Sequence, residues 1–149
     1  MILILEGPDG GGKTTLAKSM HGAVYHHEGL PPDSVNLTDY YLGLVAAARS
    51  RGEPCVFDRL AMSEIVYGPV LRGASRIDRE GWQAFESGAA GMGAVTIICL
   101  PPWGTCLAAW SEKAARHGEL VTDLDQFRRI YDHFLTLSTG RLRYDWTRR

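Results

Sequence analysis

Residues 1–18 read MILILEGPDGGGKTTLAK, and the fold follows from this stretch. Ile2 to Leu5 is an all-apolar run, as a strand buried on both faces requires. Gly7 to Thr14 then spells G-x-x-x-x-G-K-[ST], the phosphate-binding loop. Leu16 and Ala17 follow on a helix. The chemistry needs this order. Gly7, Gly10, Gly11 and Gly12 let backbone N–H groups turn inward onto phosphate oxygens, and the helix N-terminus adds a positive dipole end. Lys13 reaches the β- and γ-phosphates, and Thr14 offers its hydroxyl to Mg²⁺. Asp9 and Thr15 complete the nucleotide-binding set. ATP and Mg²⁺ are the expected cofactors.

The remaining chain alternates strands and helices. A helix is expected from Lys13 to about Met20, stopped by Gly22. Ala23 to His27 reads as the second strand, and Leu37 to Arg51 as a helix that begins near Thr38 or Asp39 and ends at Gly52. Pro54 to Phe57 is the third strand. A helix carrying Ser63 and Tyr67 follows, with a break expected near Gly68-Pro69. Further helices are read over Asp78–Ala90, Thr105–Lys113 and Leu124–Leu137. Ala94 to Leu100 is the fourth strand, and the alternation of Leu142, Tyr144 and Trp146 marks the last. Residues 113–123, KAARHGELVTD, read as a mobile loop. This is an α/β pattern: a parallel five-stranded sheet between helices in three layers, with a site along the carboxyl edge of the strands.

The polar residues at strand ends are the candidate site. Glu28 stands where the second strand ends, with a solvated loop carboxylate as the plainer reading. His26 and His27 are adjacent, so in a strand they face opposite ways and cannot chelate one metal together. Tyr40 and Tyr41 lie in the first turns of their helix; core packing is the default reading, and the alternative is that one of them, with Tyr40 as the candidate, stacks on a nucleobase. Asp58-Arg59 ends the buried third strand. Asp58 can hold Mg²⁺ or its waters, and Arg59 can grip an anionic acceptor with two parallel hydrogen bonds.

Composition limits the class. The 149 residues are 45% hydrophobic and 22% charged with net charge −1, which suggests one globular domain and offers no bulk attraction to nucleic acid. No apolar run reaches a membrane span. The chain opens on a core strand, which argues against a cleavable leader. Cys55, Cys99 and Cys106 form no C-x-x-C pair and read as reduced, buried thiols of a cytoplasmic protein.

Four pieces together resemble thymidylate kinases, within the nucleoside monophosphate kinase group of P-loop proteins. They are LEGPDGGGKTT, RGEPCVFDRLAMSEIVYG, VTIICLPPWGTCL and ARHGELVTDLDQF, in matching order over most of the chain. In its short length and its Pro101-Pro102 loop the chain resembles compact, virus-encoded members. The resemblance implies phosphoryl transfer from Mg-ATP to dTMP or a related deoxynucleotide, and a homodimer. Asp9 matches the loop carboxylate that contacts the acceptor's sugar hydroxyl. Arg59 matches the arginine on the acceptor phosphate, Asp58 the residue next to the metal, and Tyr67 the aromatic near the acceptor. Residues 113–123 match the lid, where Arg116, with Lys113 beside it, would stabilise the transferring group.

The family's Phe-x-x-x-Arg base-reading helix has no counterpart, nor does its C-terminal helix. Trp146 to Arg149 are the residues left to hold adenine. A second reading is therefore a kinase of a hydroxyl, on a deoxynucleoside or on 5-hydroxymethyluracil in DNA, with Glu28 as general base. The near-zero charge argues mildly against polymeric DNA. A third reading is a non-catalytic nucleotide-binding module.

Overall fold

A computed structural model describes residues 1–118 and 120–148. Five strands form one parallel sheet: β1 (Ile2–Glu6), β2 (Val24–His26), β3 (Cys55–Asp58), β4 (Ala94–Cys99) and β5 (Arg143–Tyr144). Their order is β2-β3-β1-β4-β5, with β1 at the centre and buried throughout. Leu5 lies opposite Asp58 in β3 and Ile97 in β4, so the three strands end together at one edge.

The faces follow the period of two. Ile2, Ile4 and Phe57 pack against Leu37, Tyr41 and Val45 of α2 (Leu37–Arg51) and against Phe85 and Ala89 of α4 (Arg79–Gly91). Leu3, Leu5 and Val56 face the other way, onto Ala17 of α1 (Lys13–Ser19). Helices therefore lie on both faces. A third cluster joins Met62 and Val66 of α3 (Ala61–Arg72) to Trp110 of α5 (Trp103–His117) and to Phe127, Ile130 and Phe134 of α6 (Leu124–Leu137).

Three expectations need correction. α3 is not broken at Gly68-Pro69; Pro69 lies inside one continuous helix. Proline removes a single N–H from the helix ladder, and the buried α3 face, packed on α6, holds the remainder. The segment expected as a loop from Lys113 is helical through His117, because Trp110 and Cys106 anchor α5 in the core and Gly118 ends it. Part of the expected lid, Glu119, lies outside the described residues, as does Arg149. β5 is only two residues long. Asn36 caps α2, its Oδ1 accepting from Asp39 N at 3.0 Å.

All three cysteines are buried and unpaired. No helix among the described residues is long and apolar enough to cross a membrane.

Candidate active site

The phosphate loop joins β1 to α1. Lys13 is buried beneath it, its Nζ donating to Gly7 O at 2.9 Å and Pro8 O at 2.8 Å. Burial pushes the ammonium down to about 8, and the nearby Arg59 adds to that, against the pull of Asp9 and Asp58. Gly12 has φ 92°, and a Cβ there would lie 2.6 Å from Trp146 Cδ1. Both facts demand glycine. The indole sits directly on the loop. Trp146 and Tyr144 join Gly10 to Thr15 around a cavity of about 820 Å³, which places the chain's tail beside the nucleotide loop.

Glu6, the last residue of β1, has a fully buried carboxylate. It accepts from Leu60 N at 2.9 Å, Met62 N at 3.2 Å and Ser63 Oγ at 2.5 Å. Burial raises its pKa, opposed by the Ser63 and Leu60 hydrogen bonds. Glu6 thus ties the start of the loop to the start of α3, and Arg59 lies in the turn between. Arg59 N donates to Leu5 O at 2.9 Å, and its φ of 73° is left-handed. Its guanidinium pairs with Asp9 and lies 4.6 Å over the Tyr67 ring. The Tyr67 hydroxyl accepts from Asp9 N at 3.2 Å and reaches Asp9 Oδ2 at 3.4 Å. Burial alone would raise the Asp9 pKa; Arg59, Lys13, Lys113 and Tyr67 together lower it. Asp9, Arg59 and Tyr67 are therefore brought together as one unit.

Asp58 is buried at the end of β3. Its Oδ2 accepts from Tyr25 Oη at 2.6 Å, and burial with that bond pushes the Tyr25 phenol up to about 12. Thr14 also acts on the Tyr25 hydroxyl. Asp58 Oδ1 is buried without a hydrogen-bond partner among the described residues. Asp58 lines the same cavity as Thr14, and a carboxylate with one oxygen left without a partner suits a hydrated Mg²⁺, so Thr14 and Asp58 fit that ion. His27 Nδ1 is 3.9 Å from Asp58 Oδ2, whereas His26 stacks on Phe57 at 4.9 Å. Among the described residues no His, Cys, Asp and Glu cluster forms a separate metal site.

A second cavity, of about 330 Å³, opens beside the first. Asp9, His27, Arg59 and Lys113 line both. Glu28 lines the second, with its Oε1 3.7 Å from His26 Nδ1. Tyr40 packs against the α2–α4 core; Tyr41 is the tyrosine that reaches the cavity. Arg116 lines neither: it pairs with Glu112 at 2.5 Å on the exposed face of α5, one turn beyond Lys113. The helix, not a loop, sets that difference. Sequence reading missed Tyr25 and the hydrogen bonds of Glu6, and of the two tyrosines it weighed it took Tyr40 as the candidate where Tyr41 lines the cavity. It also missed Arg76, whose guanidinium donates to the carbonyls of Pro31, Pro32 and Val35 and pins the loop after Glu28. The register of β2 on β3 places Tyr25, and no sequence signal carries that register.

No family model matches the chain, and no curated relative matches it. Solved structures do match. The YorR protein of Bacillus subtilis, in complex with phosphorylated GDP, aligns with TM-score 0.70 and 16% identity over 98% of this chain and 85% of its own. Deoxyadenosine kinase from M. mycoides, with bound dCTP, aligns with TM-score 0.51 and 13% identity over 97% and 89%. The same enzyme with dCMP and dCDP gives TM-score 0.53 and 14% identity. The chain has the three-layer α/β fold of P-loop kinases, and at these identities the likeness is one of fold.

Proposed function

We propose that this chain is a Mg-ATP-dependent phosphotransferase whose acceptor is a deoxynucleoside monophosphate. One observation carries the reading: the loop cavity and the second cavity meet at Asp9, His27, Arg59 and Lys113. A donor held on the phosphate loop and an acceptor in the second cavity would face each other across those four residues. Two permanent cations at the junction suit an acceptor that already carries a phosphate, and such a reaction needs positioning and charge neutralisation more than a base.

Mg-ATP, when bound, supplies the phosphoryl group and the metal's charge. Lys13 and the loop amides hold the donor's phosphates, and Thr14 and Asp58 would hold the ion. Arg59, oriented by Asp9 and Tyr67, grips the acceptor's phosphate. Lys113 adds positive charge beside the transferring group, the role the family resemblance gives to Arg116. The resemblance puts dTMP first among acceptors. The YorR protein and deoxyadenosine kinase, of similar fold, hold nucleotides in their solved structures, which agrees with this class of ligand.

A second reading rests on Glu28. It lines the second cavity and could accept a proton from an acceptor hydroxyl. The test is transfer from Mg-ATP to the four deoxynucleoside monophosphates, their nucleosides, and DNA containing 5-hydroxymethyluracil. Transfer to monophosphates that Arg59→Ala abolishes and Glu28→Gln spares supports the first reading. Transfer to a hydroxyl, lost in Glu28→Gln, replaces it with the second. ATP binding with no transfer to any acceptor leaves the non-catalytic module.

A further inference from the structure

Residues 27–36 carry the chain from β2 to the cap of α2, and Glu28 and Leu30 on this stretch line the second cavity and not the first. α3 contributes Glu64, Leu71 and Arg72 to the same cavity. The two contributions are joined by Arg76, which itself lines neither cavity. Its Nη1 donates to Pro31 O at 2.8 Å, and its Nη2 donates to Pro32 O at 2.7 Å and Val35 O at 3.2 Å. Pro32 O also accepts from Val35 N at 3.0 Å, so the guanidinium closes on a turn that two prolines already stiffen. The other end of the link is equally fixed. Arg76 N donates at 2.8 Å to Glu64 Oε1, the oxygen that also accepts from Arg72 Nη2 at 2.5 Å. Ser75 Oγ accepts from Ile77 N at 3.0 Å, and Ile77 is buried in the core shared by α2 and α4. Asp33 adds little: it lies 3.5 Å from Arg76 and its side chain is 98% exposed.

The guanidinium thus spends its hydrogen bonds on the carbonyls of one loop, while a carboxylate that lines the cavity holds its backbone. We propose that Arg76 is a positioning residue for the acceptor. It latches the loop after β2 to the turn after α3, and so fixes Glu28 and Leu30 relative to the α3 side chains of the same cavity. This rests on the second cavity being the acceptor site. A wall already in place spares the acceptor the cost of ordering it on binding. The donor cavity takes no residue from 29–36, so the latch acts on one substrate only. A clamp that served the fold alone would change the melting temperature and leave the relative affinities of the two substrates as they are. Lysine is no substitute. It keeps the charge but ends in a single nitrogen, which cannot sit on carbonyls that the guanidinium reaches through two.

Calorimetric binding of Mg-ATP and, separately, of dAMP, dCMP, dGMP and dTMP to the full chain tests this, with transfer rates measured beside it. Arg76→Lys should weaken the tightest monophosphate by about tenfold, the order of a lost hydrogen bond to a charged group, and leave ATP affinity within about twofold. In transfer, the acceptor's KM should rise by the same factor with kcat little changed. Should Arg76→Lys lose its cooperative melt, the Pro31→Gly, Pro32→Gly double variant decides by the same ratio. It frees the loop from its own side without touching Arg76, and the same acceptor-only loss is expected. Three results overturn the proposal: ATP and monophosphate weakened alike, monophosphate affinity unchanged in the folded variant, or no monophosphate bound by the wild-type chain, which would also remove the acceptor site from the second cavity. An acceptor-only loss of binding in a chain that transfers no phosphoryl group would support the latch and reject the kinase reading.

Discussion

Asp9, in the phosphate loop, and Arg59, one residue past β3, form an ion pair beneath the junction of the two cavities, and Arg59 reaches it from a left-handed backbone. A β-carbon in that conformation costs roughly 1–2 kcal/mol. Arg59→Ala and Arg59→Gly both remove the guanidinium, so both should lose transfer to a monophosphate. Only glycine also relieves the backbone. Part of that gain is offset by the freer unfolded chain, leaving Arg59→Gly the more stable variant by about 0.5–1 kcal/mol. Denaturant unfolding measures the difference, and an alanine variant as stable as the glycine one would show that position 59 carries no strain.

Lys13 is held down to about 8 by burial without a phosphate partner, so near pH 8 part of the population is neutral. Phosphates arriving at the loop favour the charged form and raise the pKa, so nucleotide binding should draw in a proton. The uptake is about half a proton at pH 8, and affinity should fall as pH rises beyond that value. Calorimetry in buffers of different ionisation enthalpy counts the proton. Lys13→Met should abolish both the uptake and phosphoryl transfer while the fold survives; the same uptake in that variant would assign the proton elsewhere.

The folded protein's preference for neutral Lys13 has its own sign. Between about 8 and the ordinary 10.5 the unfolded chain binds the extra proton at this site. Stability contributed by Lys13 therefore rises with pH across that window and is flat below it. From about pH 9 the buried cysteines oppose it, since burial raises their pKa values. Wild type minus Lys13→Met isolates the rise; a difference that does not change from pH 8 to 9 would contradict it.

Asp58 combines a Tyr25 hydrogen bond on one oxygen with a buried orphan on the other. Asp58→Asn removes the charge that suits Mg²⁺ and should raise the Mg²⁺ concentration for half-maximal rate by at least about tenfold, or abolish transfer. Tyr25→Phe removes one hydrogen bond, worth about 1 kcal/mol, and its effect should be the smaller. Titrating Mg²⁺ at fixed ATP separates them, and an unaltered Asp58→Asn curve would make Asp58 a structural residue.

Trp146 covers Gly12 with its indole and leaves 41% of its surface exposed at the loop cavity. Base stacking on an aromatic is worth about 1–3 kcal/mol. Trp146→Ala should weaken ATP affinity by an amount in that range without lowering the melting temperature by more than a few degrees. Fluorescence titration of ATP checks it, and unchanged affinity would remove the tail from the donor site.

The phosphate loop, the order of strands and helices, and the Asp58-Arg59 pair at a strand end were legible in the sequence, because each is encoded locally. Glycine spacing dictates a loop, apolar runs dictate strands, and a strand's last residues must emerge at the sheet edge. The bounds of α2, Leu37–Arg51 with Gly52 at the end, were legible, although its cap is Asn36 and not Thr38 or Asp39. α3 and α5 were not: a proline and a charged run argue locally for interruption, and packing on α6 overrides them. The same limit governs the site. Tyr25 on Asp58, Tyr41 and not Tyr40 lining the second cavity, Lys113 and not Arg116 lining both cavities, and Glu64 beside Arg72 all depend on strand register or helix phase. Those are set by long-range burial, which joins residues as far apart in sequence as Glu6 and Ser63. Local residue patterns suffice to specify a phosphate-binding loop on a parallel sheet. Which side chains meet across that loop is settled in the folded molecule, because side-chain contact follows from packing and not from order along the chain.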